Sequence, residues 1–65
     1  MNKIDIAMAA YNGAPYIAEQ IESIINQDFT DWRLFIRDDN STDDTVRIIL
    51  RYVQKDSRIV LVQDD

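Results

Sequence analysis

Cysteine and histidine are both absent from the 65 residues. Without thiols there is no disulfide framework and no thiolate metal site. Without imidazole the Ser-His-Asp and Cys-His hydrolase layouts, the usual zinc sites and histidine general bases fall away as well. Acid–base or metal chemistry must therefore rest on carboxylates. Glycine and proline occur once each, so nothing resembles a linker or low-complexity tract. The dinucleotide-binding G-x-G-x-x-G and the P-loop both lack their glycines. No run approaches the roughly 18 apolar residues of a membrane span. Positive charge is scarce, with 7 basic residues against 12 acidic ones and a net charge of −5. A binder of the phosphate backbone needs the opposite balance, so nucleic acid is not an expected partner. Acidic Asp5 interrupts the N-terminus and no long apolar region follows, unlike a signal peptide, which makes the cytoplasm the expected compartment.

What is present alternates between two periodicities. Ile4 to Ala10 is a short, mostly apolar run ending at Asn12-Gly13, and predicts a strand buried on both faces. Pro15 suits the first turn of a helix. Ile17, Ile21, Ile24 and Ile25 follow at three- and four-residue spacing, which predicts an amphipathic helix from about Ala14 to Gln27. Trp32 to Arg37 is aromatic and β-branched and predicts a second strand. It leads into a polar loop, Asp38 to Thr42. Ser41 and Asp44 have capping-box spacing, and Asp43 and Asp44 suit the positive end of a helix dipole. Val46, Ile49, Leu50 and Val53 mark a second helix running to about Gln54, and Ile59 to Val62 a third strand.

Strand, helix, strand, helix, strand predicts an α/β, Rossmann-like parallel sheet with right-handed crossovers. Such sheets bind ligands beyond the carboxyl ends of their strands. Two loops therefore matter, Ala9 to Gly13 and Asp38 to Thr42. Three strands and two helices leave strand faces and edges poorly covered, which suggests a piece of a longer protein, or self-association through an exposed sheet edge.

In the acidic loop, adjacent residues on an extended segment point to opposite sides. Asp38 and Asp39 are therefore expected to divide the work, one anchoring the loop or capping the helix and the other facing a cleft. A carboxylate there can accept a base N–H or help hold a divalent cation. In the first loop, Asn12-Gly13 is a turn signal. Tyr11 is either a packing aromatic or a flat face for a nucleobase, and Gly13 permits close backbone approach. Trp32, Phe29 and Tyr16 are expected in the core, and Arg33, Arg37, Arg47, Arg51 and Arg58 mostly in solvent, except that Arg37, just before the acidic loop, is placed to pair with Asp38 or Asp39. Ser41 and Thr42 read as helix-cap residues rather than nucleophiles, since no partner base is present.

Taken in order, these segments resemble family 2 glycosyltransferases. Met8 to Gly13, then Tyr16-Ile17, then Gln20 to Ile24, are similar to the family opening P-T-Y-N-G…Y-L…Q-L-x-S-I-L-x-Q. Gln27, Phe29 and Trp32 to Ile36 continue it. Asp38-Asp39-Asn40-Ser41-Thr42-Asp43-Asp44-Thr45 resembles V-D-D-G-S-T-D-x-T, and Arg58-Ile59 resembles the later D-x-R-I. Ala9 departs from the family's usual Thr or Pro, and Asn40 from its usual Gly, where Asn tolerates the same positive φ.

The resemblance implies a three-layer GT-A fold, with residues 1–65 as its N-terminal, nucleotide-sugar-binding half. It implies a UDP- or dTDP-sugar donor and a saccharide or lipid-linked acceptor hydroxyl, in bacterial polysaccharide synthesis, in the cytoplasm or at the inner face of the membrane. By the same resemblance Ala9, Tyr11, Asn12, Asp38 and Asp39 bind the nucleotide. Tyr11 packs on the pyrimidine, Asp39 accepts its N3–H and Asp38 supports. The family's D-x-D metal motif and catalytic carboxylate have no counterpart here, and Asp64-Asp65 is a poor match. Neither metal ligand nor catalytic residue is assigned, and Mg²⁺ or Mn²⁺ is expected only of the complete enzyme.

Two other readings stay open from the residues. One is a receiver-like α/β module with Asp38 and Asp39 forming an acidic Mg²⁺ pocket, although receivers carry that pair after the first strand. The other is a structural half-domain without nucleotide affinity.

Overall fold

The computed structural model describes residues 3–63. Five elements follow one another: β1 (Ile4–Ala10), α1 (Ile17–Ile25), β2 (Trp32–Asp38), α2 (Thr45–Lys55) and β3 (Ile59–Gln63). The strands form one sheet in the order β1-β2-β3. Both pairings are parallel, from Ile4 opposite Trp32 to Ala10 opposite Asp38, and from Leu34 opposite Ile59 to Asp38 opposite Gln63. The expected α/β parallel sheet is the observed one.

Both crossovers step across the sheet in the same direction. With one handedness, successive steps in one direction place their helices on the same face. That face holds the core: Ile17 and Ile21 of α1 and Ile49 of α2 pack over Ala10, Trp32, Leu34, Ile36 and Ile59. Each fully buried aliphatic side chain contributes about 1.5–3 kcal/mol through apolar burial. β2, in the middle, alternates buried and outward residues along its length, with Arg33 and Arg37 pointing outward. The other face carries no helix among the described residues. Ala7, Ala9 and Val62 line a shallow depression of about 390 Å³ there, with Phe35 and Arg37. Of the three layers the family resemblance implies, the described residues supply the sheet and one helical layer.

Several local expectations need correction. β1 is not buried on both faces: Asp5, Ala7 and Ala9 are exposed on the side that no helix of the described residues crosses, and Ile4, at the start of the strand, is exposed as well. α1 begins at Ile17 rather than Ala14. Residues 14–16 form a turn instead, and the Gly13 carbonyl accepts the N–H groups of Tyr16 (3.0 Å) and Ile17 (2.7 Å). Leu50 faces solvent, and Ile48 and Tyr52 pack against the core in its place. Trp32 is core as expected, but Phe29 and Tyr16 are exposed, 39% and 53%. Both lie in loops, where no periodic neighbour carries them inward.

Arg58 is not solvated with the other arginines. Its guanidinium stacks 3.8 Å above the Trp32 ring. It donates from Nε (3.0 Å) and Nη2 (2.7 Å) to the Asp56 carboxylate, and from Nη1 to the Thr30 carbonyl (3.1 Å). This fork clamps the entrance of β3 to that of β2 and covers the indole. The Trp32 Nε1–H beneath is buried and has no acceptor among the described residues, a cost of about 1–3 kcal/mol.

These bonds set a pH dependence. The Arg58 side chain, with its backbone N–H, holds the Asp56 carboxyl below its ordinary 3.8 against the opposing effect of burial. The Thr45 hydroxyl does the same for Asp43. Depressed carboxyls stabilise the fold above their unfolded pKa and lose that contribution as pH falls through the folded value. Thermal unfolding is thus expected to be flat from neutral pH to about pH 5 and to weaken below about pH 4. In Asp56→Asn the acid limb should be shallower and the neutral plateau lower. An unchanged acid limb in that variant refutes the assignment.

Candidate nucleotide-binding site

Parallel pairing brings the carboxyl ends of β1 and β2 side by side, and the two polar loops leave the sheet together. The β2 ladder runs one residue further than expected and takes in Asp38, with Ala10 opposite it. The Asp39 N–H then donates to the Ala10 carbonyl at 2.9 Å, so Asp39 stands beside the start of the Tyr11 loop.

The aspartates divide as the alternation of an extended chain requires. Asp38 is buried, 9% exposed, on the helix side. Its Oδ2 accepts the Ser41 N–H at 2.9 Å and its Oδ1 accepts the Ser41 hydroxyl at 2.5 Å. Asp39 is exposed. The pair therefore forms no common acidic pocket, as the receiver-like reading requires. No group of three or more carboxylate, cysteine or histidine side chains suited to a metal occurs among the described residues. Asp64 and Asp65 lie outside those residues.

The capping box is replaced by a different network. Ser41 does not cap α2. Its hydroxyl, bound to Asp38, accepts the Asn12 N–H at 2.8 Å from across the loops. The Asn12 Oδ1 returns the contact by accepting the Thr42 N–H at 2.8 Å. Next along, the Gly13 N–H donates to the Thr45 hydroxyl oxygen at 2.8 Å and the Ala14 N–H to Asp43 Oδ2 at 3.2 Å. Asp43 Oδ1 accepts both the N–H (3.0 Å) and the hydroxyl of Thr45, so Asp43 stabilises the start of α2 instead of Ser41. Three consecutive backbone N–H groups of the first loop thus end on side chains of the second.

Two asparagines make these corners. Asn12 has φ 46° and Asn40 φ 56°, both left-handed, a region Asn enters more readily than other residues carrying a Cβ. The turn survives Asn40 in place of glycine. Gly13 has no positive φ. It is buried, and a Cβ on it would meet the Tyr16 ring at 3.4 Å, so its close approach is to Tyr16 and Thr45.

Tyr11 is 62% exposed, Asn12 half-buried, and Asp39 exposed. The structure thus gathers Tyr11, Asn12, Asp38 and Asp39 at one end of the sheet. Ala9 lies slightly apart, on the bare face near Arg37 and Val62. Sequence reasoning missed Ser41, Asp43 and Thr45 as the residues joining the loops. The available signal was the unbroken run of hydroxyls and carboxylates from Ser41 to Thr45.

Comparison with known proteins places this arrangement. The dTDP-rhamnosyl transferase RfbG of Shigella flexneri is 54% identical over 41 residues, covering 63% of this chain and 14% of that protein. The UDP-Glc:alpha-D-GlcNAc-diphosphoundecaprenol beta-1,3-glucosyltransferase WfaP of Escherichia coli is 38% identical over 65 residues, the whole chain and 25% of that protein. The mannosyltransferase PcManGT from Pyrobaculum calidifontis, solved with GDP-Man and Mn²⁺, superposes with a TM-score of 0.84. It is 26% identical, over 95% of this chain and 19% of its own. The chain spans a quarter or less of the length of these proteins. The sequence profile of Glycosyl transferase family 2 matches residues 5–65, and with the parallel sheet and its joined loops this shows that the chain belongs to glycosyl transferase family 2.

Proposed function

We propose that the chain is the donor-binding portion, residues 1–65, of an enzyme that transfers a sugar from a UDP- or dTDP-sugar to an acceptor hydroxyl in bacterial polysaccharide synthesis. The observation that carries this is the joining of the Tyr11 loop to the Asp38–Thr45 loop at the carboxyl end of a parallel sheet, beside an exposed aromatic and an exposed carboxylate. Tyr11 offers its ring face to the base. The exposed Asp39 side chain accepts the N3–H of uracil or thymine. Asp38 and Asn12 hold the two loops in place, and Ala9 contributes the backbone beneath.

Relatives whose names specify UDP-Glc and dTDP-rhamnosyl chemistry favour a pyrimidine donor. The diphosphoundecaprenol in the name of WfaP favours a lipid-linked acceptor, used in the cytoplasm or at the inner membrane face. The Mn²⁺ of the mannosyltransferase complex favours a divalent ion in the complete enzyme. That ion would offset charge on the departing diphosphate. The described residues contain no group suited to hold it, and none of the steps assigned to them involves it.

Titration calorimetry with UDP, dTDP and GDP tests the proposal. UDP or dTDP is expected to bind more tightly than GDP, because the ring N–H of guanine stands farther from the glycosidic bond than a pyrimidine N3–H and would overshoot Asp39 with the ribose in the same place. Asp39→Ala removes a charge-assisted hydrogen bond worth about 1.5–3 kcal/mol, so affinity should fall roughly 10- to 100-fold. Equal affinity in the variant removes Asp39 from base recognition.

A further inference from the structure

The Asn12-Gly13 dipeptide has chemistry of its own, independent of any nucleotide. The backbone nitrogen of an Asn-Gly step can attack the asparagine Cγ. A C–N bond forms, the side-chain nitrogen leaves as ammonia with the proton the backbone nitrogen gives up, and a cyclic succinimide results. Water then opens the ring at either carbonyl, leaving aspartate or isoaspartate. No oxidant or cofactor is needed, and glycine favours the reaction because no side chain shields its nitrogen.

The fold brings two opposing influences to this step. The electrophile is polarised, since Asn12 Oδ1 accepts the Thr42 N–H at 2.8 Å and lies 3.4 Å from the Thr42 hydroxyl oxygen. The nucleophile is restrained. Gly13 is buried and its N–H is committed to Thr45 Oγ1 at 2.8 Å. The Thr45 hydroxyl in turn donates to the Asp43 carboxylate. A negative group one bond removed opposes deprotonation of that amide, which attack requires. Among the described residues Asn40-Ser41 is a second step of this kind, and it is held by a separate contact, the Ser41 N–H on Asp38 Oδ2 at 2.9 Å. Asn26, followed by Gln27, offers a bulkier neighbour and a poorer reaction.

We propose that Asn12 is a site of spontaneous deamidation gated by Thr45, silent while the Gly13 N–H is held and reactive once that single contact opens. Reaction at this position inserts a charge, and in the isoaspartyl product an extra backbone methylene, into the loop whose three consecutive N–H groups bind the second loop. The damage therefore falls on the joint between them.

The test follows the mass gain of ammonia loss and hydrolysis, located by peptide mapping, during incubation of the full chain at mildly alkaline pH. Thr45→Val removes the acceptor, and Thr45→Ser restores it. A hydrogen bond worth about 1 kcal/mol corresponds to roughly fivefold in rate. Thr45→Val should therefore deamidate at Asn12 about fivefold faster than the parent, Thr45→Ser should match the parent, and urea-unfolded parent should be faster than either. Asn40 serves as the internal control against global unfolding, because its own restraint does not involve Thr45. Selective acceleration at Asn12 supports the gate. Equal acceleration at Asn12 and Asn40 in Thr45→Val, or an unchanged rate at Asn12, overturns it.

Discussion

Replacing Ile36 by alanine is expected to unfold a large share of the molecules at room temperature. Ile36 lies in the middle of β2, the central strand, fully buried beneath the helices. Truncating a buried isoleucine costs about 2–5 kcal/mol, the transfer of the lost methyl groups plus the cavity they leave. A domain of this length has only about 3–10 kcal/mol in total, because a short chain removes so little of its surface from water. The single-layer packing makes the cavity hard to refill, since the opposite face of β2 carries Arg33, Phe35 and Arg37 and no helix presses from behind. Val60→Ala, on β3 and 36% exposed, should change stability by only about 0.5 kcal/mol. Urea unfolding of the two variants beside the parent measures the contrast. Equal losses in both would mean that the helical face is not where the stability resides.

Asp38→Ala should have the second-largest effect, and it should appear in two measurements. Asp38 accepts two hydrogen bonds from Ser41, whose hydroxyl in turn accepts the Asn12 N–H. Removing the carboxylate leaves the Ser41 N–H without its partner and the hydroxyl free to rotate, at a cost of about 2–3 kcal/mol. The loops then lose one of their cross-links, and nucleotide affinity should fall even though Tyr11 and Asp39 are untouched. Asp38→Asn keeps one acceptor oxygen and should lose about half as much stability. Thermal unfolding and UDP titration on both variants check this. Reduced stability with undiminished affinity would show that the joint between the loops does not shape the binding surface.

Much of this fold was legible in the sequence because its elements are short and their apolar spacing is regular. β1 was read with its observed ends, and both other strands to within one residue. The errors have separate physical causes. Pro15 fits a helix's first turn and a tight turn equally well, and here the Gly13 carbonyl closes a turn before α1 starts. Asp38 looked like loop because it is charged, yet Ser41 satisfies its carboxylate and allows it to end a strand in the core. Burial of β1 on both faces was inferred from composition, whereas the direction of the two crossovers decides burial, and composition does not encode direction. Within the candidate site, the opposite fates of Asp38 and Asp39 followed from strand alternation alone. The cross-loop partners did not, since contacts such as Gly13 with Thr45 depend on the register of β1 against β2, which is a property of the folded chain. Trp32 and Arg58 show the same limit: nothing in their spacing announces that a guanidinium will roof an indole.

The position of β1 at one border of the sheet carries a consequence for chain growth. A further parallel strand laid along that border could be reached only by stepping back past β1, opposite to the two crossovers already made. Handedness would then carry its connecting helix to the bare side of the sheet, over Ala7, Ala9 and Phe35. Strand order would reverse at β1, and open α/β sheets hold their ligands in the crevice at such a switch point. Tyr11, at the head of β1, would change from a residue at the rim to one at the centre.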